Sequence, residues 1–138
     1  MSYNHVLIIG MSQQIDDEGK LVSMLMEANK YVRYAAICDN DGKILWNSYR
    51  NGVKNILTLE ETKSTLKRAL NTWKARDELS AKIGKGRFAI VGYDKIKRIT
   101  VPLRNDHMLF LSVEGDKPEY IKDILNVVKW VEEHPSQS

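Results

Sequence analysis

The stretch TLEETKSTLKRALNTWKARDELSAKIGKGRFAIVGYDKIKRITVPL, Thr58 to Leu103, decides the fold. It opens with Thr58-x-x-Glu61, a spacing in which threonine hydroxyl and glutamate carboxylate each accept from a free backbone N–H of a helix's first turn. Leu59, Leu66, Ala69, Leu70 and Trp73 then recur at helical spacing, with Lys63, Lys67 and Lys74 on one flank of the apolar stripe. Past Trp73 the register fails, because Asp77 lands on the stripe and Leu79 off it. The helix is therefore expected to fray or bend there and to close at Gly84 in the left-handed region. Beyond Gly86 the period falls to two, in Arg87 to Tyr93 and again in Ile96 to Leu103, with Asp94 and Lys95 as the turn of a hairpin. The first of these strands is mostly apolar at both alternating sets of positions, so it reads as covered on both faces. Pro102, which cannot donate to a ladder, marks the end of the second or a sheet edge.

Downstream, Arg104-Asn-Asp-His107 reads as a turn and Met108 to Val113 as a third strand of this group. Asp116-x-x-Glu119 with Pro118 starts a last helix, whose apolar stripe is Ile121, Ile124, Leu125, Val128 and Val131 and leaves Trp130 outside. Upstream, Leu21, Val22, Met24, Leu25 and Ala28 suit a helix over about 16–29 with acidic residues at its start, although Gly19 interrupts it. Met11, Met24 and Met26 read as core filler. The β-prone segments Arg33 to Cys38 and Lys43 to Tyr49 flank Asp39-Asn-Asp-Gly42, a strong hairpin signal because glycine accepts positive φ. The class is thus α+β: a five-stranded antiparallel sheet with helices, in the order α-β-β-α-β-β-β-α. Residues 1–14 read as an N-terminal arm or short strand, 15–134 as one domain and 135–138 as a polar tail.

A chain of 138 residues is one ordinary domain, and its 43% hydrophobic and 28% charged content suits a globular protein. No run approaches the ~20 apolar residues of a membrane helix. Val6 to Ile9 is short and lacks a basic lead-in, so it does not read as a secretory signal. The single cysteine, Cys38, reads as a buried small hydrophobe and agrees with a cytoplasmic location. Net charge is only +3, but from Lys63 through Arg104 twelve lysines and arginines face only Asp77, Glu78 and Asp94, a balance of +9 that leaves −6 for the rest. That asymmetry either attracts an anionic partner or neutralises acidic segments within the molecule or across a dimer.

Motifs of chemistry are missing. The Asp39-Asn-Asp-Gly42 run fails as a calcium loop, since with Gly42 at loop position six the end positions are Ile37 and Ser48 rather than acids. Gly84-Lys-Gly86 leads from a helix into a strand, the reverse of a phosphate loop. His5, His107 and His134 are scattered, no serine sits in a nucleophile elbow, and no His/Cys cluster has metal spacing. No cofactor, no metal and no catalytic residue is expected, and the chain does not read as an enzyme. Arg50 and Lys54 read as a solvated basic loop rather than an anion site.

With these elements in place, the chain resembles roadblock, or dynein light-chain-like, domains, which are related in shape to profilin and longin folds. The resemblance rests on Arg33 to Cys38 with its Asp39-Asn-Asp-Gly42 turn, the central helix, the Gly84 exit and Val101 to Val113. It extends to small stand-alone proteins of ammonia-oxidising archaea through Val32 to Gly42, Tyr49-Arg-Asn-Gly52 and Lys95 to Leu103. It implies a homodimer built from the central helix and the following strand, whose joined sheets form a platform for small GTPases or other regulatory partners. The central helix here is longer and more charged than the alanine-rich version of that family, so lysines beside a dimer seam need acidic partners or solvent.

Three functions follow as expectations. The first is a non-enzymatic dimeric interaction module with Lys63, Leu66, Lys67, Leu70, Trp73 and Lys74 as contact helix, aromatic anchor and basic rim. The second is a PAS- or GAF-like small-molecule sensor with Trp46, Phe88 and Tyr93 lining a pocket. The third, not favoured, is a weak anion or nucleic-acid binder through Lys82, Lys85, Arg87, Lys95, Lys97 and Arg98, which lacks a recognition helix or RNA-binding aromatics.

Overall fold

The computed structural model describes residues 13–52, 57–115 and 119–134. Its elements are α1 (Gln13–Ala28), β1 (Val32–Cys38), β2 (Ile44–Tyr49), α2 (Leu59–Asp77), α3 (Ser80–Ile83), β3 (Ala89–Gly92), β4 (Lys97–Pro102), β5 (Met108–Val113) and α4 (Glu119–Glu133). The strands form one antiparallel sheet in the order β2-β1-β5-β4-β3. This is the expected α+β architecture, with one extra helical turn, α3. The readings of Met11, of Lys54 and of the Asp116–Pro118 helix start, most of the 1–14 arm and the 135–138 tail lie outside the described residues.

Local chemistry sets the boundaries. The Thr58 hydroxyl accepts from the Glu61 N–H at 3.1 Å and the Glu61 carboxylate accepts from the Thr58 N–H at 2.9 Å, so the capping box is complete. α2 ends at Asp77, where the apolar register fails, and α3 follows as a separate turn. Gly84 does have positive φ, but with φ 96° and ψ 166° it is mirror-extended rather than left-handed helical, a conformation that glycine alone adopts freely. In the β1–β2 turn the Asp39 carboxylate accepts from the N–H of both Asp41 and Lys43, and Gly42 takes φ 88°. Between β4 and β5, the His107 N–H donates to the Arg104 carbonyl across Asn105 and Asp106, both at φ near +60°. That is the primed turn whose twist matches antiparallel strands, formed from residue types that tolerate positive φ.

The sheet is covered on both faces. Ala35, Ile37, Leu109, Leu111, Ile99 and Val101 form one core with Leu21 and Leu25 of α1 and Ile124 and Val128 of α4. Ala36, Cys38, Met108 and Phe110, on the other face, pack with Leu66 and Leu70 of α2. Trp130 stays exposed, as its place off the α4 stripe requires. Met26 is buried in the first core and Met24 packs against it, which is the filler role.

Three expectations are corrected. Leu59 is half exposed, because it lies in the first turn before α2 reaches the sheet. β3 is an edge strand, not a strand covered on both sides: it pairs only with β4, and Phe88, Ile90, Val91 and Tyr93 are exposed. Arg50 is not a solvated loop residue. Its guanidinium donates to the carbonyls of Val32 (2.8 Å), Met26 (2.6 Å) and Asn29 (2.9 Å), which ties the C-terminal end of α1 to the exit of β2.

Candidate interaction surface

The central helix divides its residues by direction. Leu66 has no exposed surface and Leu70 is buried, because both form the underside of α2 against β1 and β5. Apolar periodicity alone does not distinguish a helix that packs on its own sheet from one that meets a partner. Lys63, Lys67 and Lys74 are exposed on the flank and top of the helix. Trp73 lies between these positions, half-buried, with its indole N–H donating to the Thr100 hydroxyl of β4 at 2.9 Å. The Arg76 guanidinium lies 5.1 Å from the indole centroid, and an added Cβ at Gly86 would come within 2.4 Å of the ring. The indole is therefore held on several sides and forms a rigid wall.

The basic segment does not form one patch. Lys82 in α3, Lys85 and Arg87 in the α3–β3 loop and Lys95 in the β3–β4 turn are exposed. Lys97 and Arg98, as neighbours in a strand, point to opposite faces. Lys97 Nζ donates to the Gly115 carbonyl at 2.9 Å on the α1/α4 face. Arg98 donates to the Thr65 hydroxyl of α2 and lies 4.7 Å from the Phe110 ring centroid on the other. Arg98 thus ties helix to sheet, and neither its sequence neighbours nor its charge signals that role.

The proposed sensor residues do not meet. Trp46 is on β2 and packs toward α1, whereas Phe88 and Tyr93 flank β3 at the opposite edge of the sheet. They cannot line one pocket.

Along the β3 edge an open groove of about 180 Å³ runs between α2 and the strand. Thr65, Ala69 and Thr72 of the helix form one wall and Val91 and Tyr93 the other. Val91 and Tyr93 are 52% and 56% exposed, and Leu79, just before α3, and Ile83 within it are exposed apolar residues too. A second cleft, of about 260 Å³, opens between the C-terminal half of α2, the Lys85–Gly86 loop and the β4–β5 turn. On its wall, His107 Nδ1 is 2.6 Å from the carboxylate of Glu18, a residue buried on α1. Nothing in the sequence links these two residues, which are far apart in the chain.

Two buried groups are held protonated. Burial first, and then the negative charge of Asp39, pushes the Cys38 thiol from 9.0 to about 12. Burial likewise raises the Tyr34 phenol. Both are acids forced toward their neutral forms, the opposite of an activated nucleophile. Among the described residues no group of three or more His, Cys, Asp or Glu could hold a metal ion. No described helix is long and apolar enough to cross a membrane.

No family model matches the sequence, and no curated protein matches it either. Solved structures do match the fold. The gliding protein MglB of Thermus thermophilus superposes with a TM-score of 0.66 at 12% identity, over 96% of this chain and 99% of that one. A roadblock/LC7 domain of Streptomyces avermitilis gives 0.62 at 11% identity, over 83% and 90%. Profilin II of Acanthamoeba castellanii gives 0.53 at 13% identity, over 83% and 96%.

Proposed function

From the roadblock/LC7 fold of this chain, we propose that it is a non-enzymatic, cytoplasmic interaction module that pairs with a second copy of itself and presents the joined sheets to a regulatory protein. The observation that carries this reading is the β3 edge, where a strand paired with β4 on one side only, together with Val91, Tyr93 and the outer side of α2, leaves apolar surface in water. An exposed edge strand is a template for pairing, and contiguous apolar surface beside it favours burial against a partner. A second copy is the natural occupant because a twofold axis beside β3 brings the same strand and helix together from both sides.

The contact residues differ in part from those that periodicity selects. Leu66 and Leu70 serve the internal core, while Ala69, Thr72, Val91 and Tyr93 form the seam; Lys63, Lys67 and Lys74 do not line that groove and lie on the other flank of α2, in solvent. A small GTPase, the partner class implied by the roadblock resemblance, is the candidate for the platform.

Sedimentation equilibrium tests the pairing. A wild-type dimer at tens of micromolar that becomes monomeric in Val91→Glu, with unchanged circular dichroism, supports it. A wild-type monomer at those concentrations overturns it.

A further inference from the structure

The second cleft contains no residue of β3, and the core residues Leu70, Leu103 and Met108 reach its lining. It is built within one chain, between α2, the Lys85–Gly86 loop and the β4–β5 turn, so its properties do not depend on pairing. Trp73, Pro102 and Met108 supply an apolar wall. The Trp73 indole is fixed there by its bond to Thr100 and by the backbone of Gly86 pressed against its ring. A fixed aromatic face needs no ordering when a flat group stacks on it.

Polar groups converge on the same space. Lys74, Arg76 and Lys85 surround it, against the carboxylates of Asp77 and Asp106, so the fixed charges at the cleft favour an anion. Lys74, Arg76 and Lys85 also lie in the segment that carries a balance of +9. His107 completes the wall, and because its Nδ1 is bonded to Glu18 the imidazole is oriented with Nε2 as its remaining polar atom. A volume of about 260 Å³ is enough for one ring and its anionic group.

We propose that this cleft binds a compact organic anion, one aromatic ring carrying a carboxylate or a phosphate. The ring stacks on Trp73 and the anionic group meets Lys74 and Lys85.

The full chain titrated with benzoate, with phenyl phosphate and with inorganic phosphate tests this, by calorimetry and tryptophan fluorescence. Saturable binding is expected for at least one of the two ring-bearing anions, and which one binds identifies the anionic group. Affinity falls at least about tenfold in the double variant Lys74→Gln/Lys85→Gln and is unchanged in Lys63→Gln, an exposed lysine of the same helix away from the cleft. In Trp73→Phe the fluorescence response disappears. Absence of saturable binding by either ring anion overturns the proposal. So does binding lost equally in Lys63→Gln, or inorganic phosphate binding as well as both ring anions, since either result means general attraction to a basic surface. All the substituted lysines are solvent-exposed, so loss of folding does not obscure the result.

Discussion

The indole N–H of Trp73 donates to the hydroxyl of Thr100 at 2.9 Å, and this bond joins the C-terminal half of α2 to the next-to-edge strand. Leu66 and Leu70 press α2 on the sheet without direction, whereas this bond sets how far the helix lies along β4. Thr100→Val keeps the shape and removes the acceptor, so it should cost about 1 kcal/mol in urea denaturation. In a double-mutant cycle with Trp73→Phe the two losses should be less than additive.

Gly19 lies in α1 with the Trp46 ring against it, and an added Cβ would approach the ring atoms to 2.8–2.9 Å. Replacing a mid-helix glycine by alanine ordinarily stabilises by roughly 0.5–1 kcal/mol. Overpacking against a ring already set in a core costs about 1–3 kcal/mol, which is the larger effect. Gly19→Ala should therefore lower the thermal midpoint, and Gly19→Ala with Trp46→Leu should recover part of the loss.

Arg50 makes three bonds to main-chain carbonyls at the end of α1 and the start of β1. Its planar fork serves carbonyls in different directions, which a lysine ammonium on a flexible stem cannot reproduce. Both Arg50→Lys and Arg50→Ala should destabilise by about 2–3 kcal/mol, with faster amide hydrogen exchange at the end of α1 as the local readout.

Stability should fall at alkaline pH. The Cys38 thiol keeps its proton in the folded chain to about pH 12, whereas in the unfolded chain it loses it near 9. Between those values the unfolded state binds fewer protons, so the stability present below about pH 9 is lost as pH rises toward 12. Tyr34, raised in the same direction by burial, adds to the decline at the upper end of that window. Urea midpoints measured across it should fall, and less steeply in Cys38→Ala. A Cys38→Ala profile identical to wild type would remove the thiol from this account.

Much of the fold is legible in short-range chemistry. The Thr58–Glu61 box, the Asp39–Gly42 turn and the break after Asp77 need only neighbours a few residues apart, and each is where the sequence puts it. Alternating and helical apolar rhythms likewise identify all five strands and the α1, α2 and α4 helices, because periodicity is a property of a single segment. Direction and company are different. That Leu66 faces its own sheet, that β3 is left at an edge, that Gly19 makes room for Trp46, that Arg50 closes α1 and that His107 meets Glu18 are all long-range relationships. They depend on which strand lies beside which, a choice made by the packing of two cores on opposite faces of one sheet, and no segment contains that choice by itself.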